Sequence, residues 1–298
     1  MTASRKPLDR NTILTTVAQM GRLPVLPRAV MEIEKELARP NASAHKIAEL
    51  VQLEPGVCAA VLRVANSALH APRREIVNVM QAITQLGLNE VRKIVLVASL
   101  IRNCQSYSKM DLRRFWLHSV AVGLTAVEIS RTARVPVEAE LMDAAFAAGL
   151  LHDIGALVLH ATFPEHAAAA QHDAEMQGRS LVEVEHERWS VDHGEVGAVL
   201  ADHWNLPPLL HRAMVFHHRP WSADPDAHAL VQIVHIADFF ANNQGFGRSE
   251  RITPTWFDDS SWYSLGMTFA DVTPIVDHVA DHCEHSQVWV ESIGSLGH

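Results

Sequence analysis

The sequence places a histidine and an aspartate side by side in a segment that is otherwise apolar, LLHDIGALVLH at 150–160. Burying an uncompensated polar pair costs free energy, so His152 and Asp153 require polar partners or a chemical role. Imidazole nitrogens and carboxylate oxygens are common ligands of divalent metals. The carboxylate of such a doublet could also bridge two ions, and ions about 3.5–4 Å apart are a common arrangement for hydrolysing phosphate esters.

Five further polar residues lie in similarly apolar helical contexts. With the doublet they form a candidate set of metal ligands: His118, His152, Asp153, His193, His217, His218 and Asp238. A lone histidine on an apolar helix face is usually a satisfied core residue, but a set that contains an HD pair and an HH pair favours a shared site. The expected cofactor is a divalent metal (iron, manganese or zinc), and no organic cofactor is expected. On the residues alone, a buried polar network without metal is an equal alternative.

Other histidines carry less information. His278, His282 and His285 lie at i, i+4 and i+7 near the C-terminus and could chelate a metal, but an exposed helix face explains them equally well. They are therefore interpreted as structural or adventitious. Glu185 and His186 are close enough in sequence to His193 to support it as a ligand.

Helices must position these groups, because apolar residues recur at spacings of three and four almost throughout from residue 12. The predicted fold class is therefore all-α. One helix is predicted over 76–86, ending at Gly87, and a terminal helix near 271–290. No internal repeat or low-complexity segment is present.

Charge argues against nucleic acid as the main partner. Acidic residues outnumber basic ones by 34 to 25 in the 298 residues, which gives a net charge of −9. Binding to a phosphate backbone requires a basic protein surface, so no DNA binding is expected. Arg63, Arg73 and Arg74 could form a local basic strip, although a solvated loop beside Pro72 is the simpler interpretation.

Cysteine usage and hydropathy bear on the compartment. Cys58, Cys104 and Cys283 are widely spaced and odd in number, which favours reduced thiols. The N-terminal segment has charged and polar residues throughout and lacks the apolar stretch of a signal peptide, and the longest apolar run, at 94–101, is too short to span a bilayer. The expected protein is cytoplasmic and not attached to a membrane.

The candidate ligands occur in a familiar order. A histidine, the HD doublet and a final aspartate resemble the HD superfamily of metal-dependent phosphohydrolases, an all-α fold, while His193 and the His217-His218 pair resemble the fuller ligand set of the HD-GYP cyclic-dinucleotide phosphodiesterases. The resemblance to HDOD domains is closer and covers residues 20–245. It is carried by the paired prolines of LPVLP, the Glu54-Pro55 turn, RVANSA at 63–68, QAITQLGLNEVRKIVL, FWLHS, AGLLHDIG, DHGEVGAVLADHWNLPP and HH.

The resemblance implies an HDOD-type helical fold in three parts. An N-terminal helical subdomain at 1–105 would pack on an HD-like helical subdomain at 106–245, which holds the His/Asp cluster, and a C-terminal extension would follow at 246–298. The aromatic residues of the extension could cover the core or a partner equally well; they are Trp256, Phe257, Trp262 and Tyr263.

Two departures from the enzyme pattern bear on whether the protein is catalytic. HD-GYP enzymes continue the doublet as HDIGK, but Ala156 stands in the lysine position here, which removes a cation that would neutralise a phosphate. Arg219 replaces the glutamate of their HHE motif, and no Gly-Tyr-Pro follows. HDOD proteins are generally regarded as regulatory modules of bacterial signal transduction without demonstrated catalysis. The resemblance thus implies a non-enzymatic regulatory protein that contacts signalling proteins and holds a divalent metal, with no catalytic residue assigned.

The alternative is a metal-dependent phosphohydrolase acting on nucleotides or cyclic dinucleotides. The resemblance would assign one ion to His118, His152, Asp153 and Asp238, and a second to His193, His217 and His218. Under this alternative, Arg212 or Arg219 would have to replace the missing lysine.

Overall fold

The computed structural model describes residues 8–20, 28–37, 39, 42–104, 110–244 and 257–294. Every regular element within these ranges is a helix, which confirms the predicted all-α class. The α-helices are α1 (Arg10–Ala18), α2 (Arg28–Leu37), α3 (Ala44–Gln52), α4 (Pro55–Ala65), α5 (Val79–Leu86), α6 (Leu88–Cys104), α7 (Leu112–Thr132), α8 (Ala139–Leu151), α9 (Ile154–Thr162), α10 (Pro164–Gln177), α11 (Leu181–Trp189), α12 (His193–His203), α13 (Pro208–Phe216), α14 (Pro225–Asn243), α15 (Asp259–Ser264) and α16 (Val272–Gly294). Short 3₁₀ turns lie at Pro220–Ser222 and Phe269–Asp271.

The chain divides into two compact units. The first unit comprises Met1–Leu23 and Tyr107–Ala280, and the second comprises Pro24–Ser106 and Asp281–His298. The domain boundaries inferred from the sequence, after residues 105 and 245, stay a prediction.

Close helix packing in the first unit depends on glycine. Helix α7 packs against α8 and α14. A Cβ atom on Gly149 of α8 would lie only 2.7 Å from the Cα atom of Gly123 on α7, closer than side-chain atoms can approach. The two helices therefore meet backbone to backbone at this point. His118 lies just before Gly123 and His152 just after Gly149, so this contact brings the two histidines together.

A second close approach places α9 against α12. A Cβ atom on Gly155 would clash with the backbone carbonyl of His193 and lie 2.5 Å from the nitrogen of Gly197. Helix α12 begins at His193, where Asp192 and Glu195 form a capping box. The HD doublet therefore lies beside the first residue of α12.

The doublet occupies the junction between two helices. His152 is the C-cap of α8 and Asp153 is the N-cap of α9. The surrounding helical stretch, Ala139–Thr162, is long and apolar enough to cross a membrane, but 78% of its most apolar window is buried inside the protein. Such burial is typical of a core helix in a soluble protein.

The second unit contains α2 to α6, with α4 packed against α5 and α6. Helix α5 begins at Val79, three residues later than the prediction at Ile76, because the side chain of Asn78 caps it by accepting a hydrogen bond from the Gln81 nitrogen at 2.9 Å. Residues 76–78 instead belong to a loop that Asn66 holds in place.

The three cysteines are free, with Cys104 and Cys283 buried and Cys58 half-buried. Burial raises the pKa of the Cys104 and Cys283 thiols to about 12, so both stay protonated and unreactive.

The aromatic residues after α14 divide between core and surface. Trp262 is buried, and the ring of Phe257 packs on Phe239 of α14 with centroids 4.7 Å apart. Tyr263 is 69% exposed. Trp256 lies outside the described residues. At least part of the extension therefore covers the helix that carries Asp238.

Candidate metal centre

The structure brings all seven predicted ligand residues together in the first unit. They form two clusters, and within each the possible ligand atoms lie within 4.8 Å of one another: His118, His152 and Asp238 in one; Asp153, His193, His217 and His218 in the other. All are buried except His218, which is half-buried. Such a concentration of buried ionisable groups needs compensation.

The first cluster gathers nitrogen and oxygen atoms from two helices, α7 and α14, and from the α8–α9 junction. The Nε2 atom of His118 lies 3.1 Å from Oδ1 of Asp238 and 3.3 Å from Nε2 of His152. His152 Nε2 in turn lies 3.3 Å from Oδ2 of Asp153. Two imidazole nitrogens thus face each other across a short gap, with carboxylate oxygens beside them.

The second cluster is built around the other oxygen of Asp153. Its Oδ1 atom lies 3.0 Å from Nε2 of His193 and 3.5 Å from Nε2 of His217. The Nε2 atoms of His193 and His218 are 2.9 Å apart. Asp153 therefore presents one oxygen to each cluster, which is the arrangement of a bridging carboxylate.

The other ring nitrogen of three histidines is fixed by an acceptor. Nδ1 of His152 donates to the carbonyl of Gly149 at 2.6 Å, and Nδ1 of His217 donates to the carbonyl of Met214 at 2.9 Å. Nδ1 of His193 donates to Glu185 at 2.6 Å. A carbonyl oxygen only accepts, so Nδ1 of His152 and of His217 carries a proton, and Nε2 is the ring nitrogen that faces the cluster. Metal-bound histidines are oriented in the same way.

A buried atom without a partner tests whether a metal fits. Nε2 of His217 is fully buried and has no hydrogen-bond partner in the part of the chain that the structure describes. An unpaired buried acceptor is costly, and coordination to a cation would satisfy it. Imidazole nitrogens mixed with carboxylate oxygens are suitable ligands for zinc, manganese or iron. The residues present therefore fit a divalent metal.

The protonation of the clusters follows from their charges. Burial lowers the pKa of His152, but Asp153 and Asp238 outweigh burial and raise it to about 9. Burial also lowers the pKa of His193, but Glu185 and Asp153 outweigh burial and raise this pKa to about 10. Protons therefore neutralise part of the carboxylate charge in the metal-free protein.

Histidines farther from the carboxylates behave in the opposite way. Burial, together with the neighbouring His217 and His193, holds the pKa of His218 well below its usual value. Burial likewise lowers the pKa of His217, although Asp153 opposes the shift. These two imidazoles are neutral at pH 7 and can act as ligands without losing a proton.

Two supporting residues were missed by the sequence analysis. Nδ1 of the buried His235 donates to the carbonyl of His217 at 2.7 Å, and its Nε2 accepts from the nitrogen of Asp258 at 3.1 Å. Asn242 donates to Oδ1 of Asp238 at 2.8 Å. The signal for both was their position one helical turn from Asp238, on either side.

Ala156, which stands where HD-GYP enzymes have a lysine, is buried. Ala156 is 3% exposed and lines a pocket of about 450 Å³ together with Arg114 and His160. Neither arginine suggested as a substitute is free, since Arg219 donates to Asp192 at 2.7 Å and Arg212 pairs with Asp224. Arg219 nevertheless lines a pocket of about 620 Å³ with His218, so the second cluster is reached from this side.

A third group of possible ligands has a structural explanation. His186, Asp192 and Glu195 also lie close together. Asp192 and Glu195 cap α12 and are paired with Arg219 and Arg10, respectively. These carboxylates are therefore already neutralised.

The predictions for the remaining histidines have mixed outcomes. Of the two residues proposed to support His193, Glu185 contacts it and His186 is exposed. Of the C-terminal histidines, His278 lies 3.1 Å from Glu128, and none joins a metal-competent group within the described ranges.

Comparisons with known proteins agree with this architecture. The family model of the HDOD domain matches residues 23–220. A Treponema pallidum (strain Nichols) protein named "Uncharacterized protein" is 23% identical over 257 residues, which is 80% of this chain. This chain spans about half the length of that relative, 47%.

Three solved structures share the fold. An HDOD domain protein with unknown function from Geobacter sulfurreducens superposes with a TM-score of 0.77 at 22% identity, covering 96% of this chain and 99% of that one. A "Putative signal transduction protein" from Marinobacter aquaeolei VT8 superposes with a TM-score of 0.78 at 19% identity, and the match covers 95% of this chain and 65% of that one. A "Putative phosphohydrolase" from Shewanella amazonensis SB2B superposes with a TM-score of 0.72 at 24% identity, and the match covers 94% of this chain and 97% of that one.

Proposed function

Because this chain belongs to the HDOD family, we propose that it is a non-enzymatic regulatory protein of bacterial signal transduction. In this proposal it resides in the cytoplasm, holds a divalent metal and acts through contacts with signalling proteins. The observation that carries the proposal is the contrast between an intact set of seven ligand residues and a buried alanine at position 156. The ligands support metal binding, and the missing cation argues against phosphate chemistry.

The similar structures carry names of both kinds, signal transduction and phosphohydrolase, so their names do not decide the function. The residues favour regulation. Arg219 and Arg212 would have to leave Asp192 and Asp224 before either could neutralise a phosphate. A phosphohydrolase remains the second candidate, because the pocket of about 620 Å³ reaches His218.

The ligand residues would hold the metal between helices. His118 on α7, Asp238 on α14 and the doublet at the α8–α9 junction would share one ion, and His193 and the His217-His218 pair would complete a second with Asp153. A bound divalent ion supplies positive charge and cross-links the helices that hold it. Glu185 and His235 keep His193 and His217 in place.

Elemental analysis of protein purified without a histidine tag tests the proposal. We expect a divalent metal in the purified wild type. Asp153→Asn keeps the side-chain volume but removes the bridging charge, so it should lower metal affinity at least about 100-fold. Asp143→Asn is the matched control, because Asp143 is an exposed aspartate on α8, the helix that ends just before the doublet, and its substitution should leave metal content unchanged.

Turnover by the same metal-loaded protein separates the two functions. Protein loaded with Mn²⁺ or Fe²⁺ should hydrolyse neither nucleotides nor cyclic dinucleotides. Hydrolysis that Asp153→Asn abolishes and Asp143→Asn retains would establish the phosphohydrolase instead. Wild-type protein that contains no metal and takes up none on addition would refute the metal site.

A further inference from the structure

The loop between α4 and α5 is held in one shape by the RVANSA motif, which the metal site does not explain. The side-chain amide of Asn66 donates to the carbonyl of Ile76 at 2.7 Å and accepts from the nitrogen of Ile76 at 2.8 Å. The nitrogen of Ala71 donates to the carbonyl of Ser67 at 3.0 Å. Ala71 has φ of +34°, a left-handed conformation that costs a residue with a Cβ atom free energy. The surrounding contacts therefore enforce this loop shape.

This loop presents two arginines to solvent. Arg73 and Arg74 are exposed and, among the described residues, neither makes an ion pair or a side-chain hydrogen bond. Glu75 follows them, so the three residues carry a local positive charge on a chain whose net charge is −9. Two unpaired guanidinium groups held on a fixed loop can bind carboxylates in a bidentate manner.

Apolar side chains lie beside the arginines. Val77 is 63% exposed and Met80 is 36% exposed. Arg73, Arg74 and Met80 line an open groove of about 810 Å³, and Val77 lies within the same stretch of chain. Exposed apolar residues next to unpaired charges are typical of a surface that a partner covers.

We propose that Arg73, Arg74, Val77 and Met80 form a docking surface for an acidic amphipathic helix of a partner protein. The arginines pair with its carboxylates, and its apolar face covers Val77 and Met80. Methionine adapts its shape to an incoming apolar surface. Strand addition is not available in the described part of the chain, because all of its regular elements are helices. The docking surface rests on the proposed role in protein–protein contact.

Charge favours a protein over nucleic acid at this surface. Nucleic-acid binding requires neutralising several phosphates, and the net charge of −9 repels a polyanion at long range. A short acidic helix brings fewer charges and adds an apolar face, which matches the exposed Val77 and Met80.

Fluorescence anisotropy with synthetic probes tests the docking surface. The probe is a labelled peptide of about 18 residues, long enough to form a helix, with leucine on one face and glutamate on the other. One comparison peptide has lysine in place of glutamate, another has the acidic sequence scrambled to remove the apolar face, and a short duplex DNA is the fourth probe. The full chain is expected to bind the acidic amphipathic peptide most tightly.

Charge reversal assigns the binding to the proposed residues. Arg73→Glu/Arg74→Glu should weaken binding of the acidic peptide about tenfold or more. Arg113→Glu/Arg114→Glu is the matched control: it reverses another exposed pair of adjacent arginines, changes the net charge equally, and should leave the affinity within about twofold. Circular dichroism and thermal melting establish that both variants are folded.

Each other outcome overturns the docking surface. These outcomes are no binding of the acidic peptide, equal losses in both double variants, equal binding of the scrambled peptide, and stronger binding of DNA that depends on Arg73 and Arg74. Metal content, measured on the same preparations, is expected to be unchanged. Wild-type protein that contains metal but does not bind the acidic peptide therefore refutes the docking surface alone, whereas an absence of metal refutes the proposed metal site.

Discussion

The two oxygens of Asp153 face different groups of histidines, which gives this residue a role that no other residue in the site shares. Oδ2 faces His152 and Oδ1 faces His193 and His217. Asp153 occupies the break between α8 and α9, beside the first residue of α12. The position in the chain therefore matters as much as the residue type.

The raised pKa values of His152 and His193, about 9 and about 10, predict opposite effects of pH on the two forms of the protein. A folded-state pKa above the unfolded value of about 6.5 stabilises the metal-free fold below that value. This contribution declines as pH rises from about 6.5 towards 9 and 10. Metal ligation requires neutral imidazole, so metal affinity should increase over the same range.

Thermal melting between pH 6.5 and 8.5 measures this difference. With a chelator, the melting temperature should fall as pH rises, and the stabilisation added by Mn²⁺ should grow. The lowered pKa values of His217 and His218 act below about pH 6.5, outside this window. A metal-induced stabilisation that shrinks towards pH 8.5 would contradict the protonation assigned to His152 and His193.

His235 predicts a second effect at the residue scale. His235→Phe would leave the carbonyl of His217 without its donor and the nitrogen of Asp258 without its acceptor. Each unsatisfied buried group costs about 1–3 kcal/mol, so the melting temperature should fall and metal binding should weaken. His228→Phe is the control, because His228 is a half-buried histidine on the same helix that contacts Gln232 instead. Equal metal affinity in both variants would show that His235 does not position His217.

At the scale of elements, the site depends on how closely α7 and α8 approach each other. The absence of side chains at Gly123 and Gly149 allows the two backbones to meet. Each helix then supplies one histidine of the first cluster, His118 and His152. Helix spacing therefore sets the distance between ligand atoms.

Gly149→Ala should test this dependence. The added methyl group would lie 2.7 Å from the Cα atom of Gly123, so the helices must separate, at a cost of about 1–3 kcal/mol. Metal affinity should fall, because His118 and His152 move apart. The control is Gly294→Ala, where a Cβ atom meets nothing within 4 Å. Unfolding temperatures and metal titrations of both variants measure the effect, and a Gly149→Ala protein with wild-type metal affinity would contradict it.

The same elements show what the sequence could predict. The helical period and the polar residues inside apolar helices identified the fold class and the seven candidate ligands. The clustering was not predictable from spacing, because His118 and His152 are 34 residues apart and meet only through the packing of α7 on α8. His235 lies one helical turn before Asp238, but its supporting role could not be predicted, because its partners are a backbone carbonyl and a backbone nitrogen, which leave no side-chain pattern.

At the scale of the whole molecule, the two kinds of proposed contact lie in different units. All seven candidate ligands belong to the first unit, and the docking surface of Arg73, Arg74, Val77 and Met80 belongs to the second. A metal that binds only the folded state stabilises the segments that hold it, by about 2.7 kcal/mol at a free concentration 100 times the dissociation constant.

Hydrogen–deuterium exchange with and without metal should therefore give an uneven pattern along the chain. Amide protection should increase in α7, α8, α9, α12 and α14, whose residues form or adjoin the clusters. Exchange in α3 to α6 should change less, because these helices supply no ligand. Asp153→Asn should remove the increase and Asp143→Asn should retain it. If metal instead protected α3 to α6 as strongly as α7 and α8, its effect would not be confined to the unit that holds it, and the metal site could act as a signal to the docking surface.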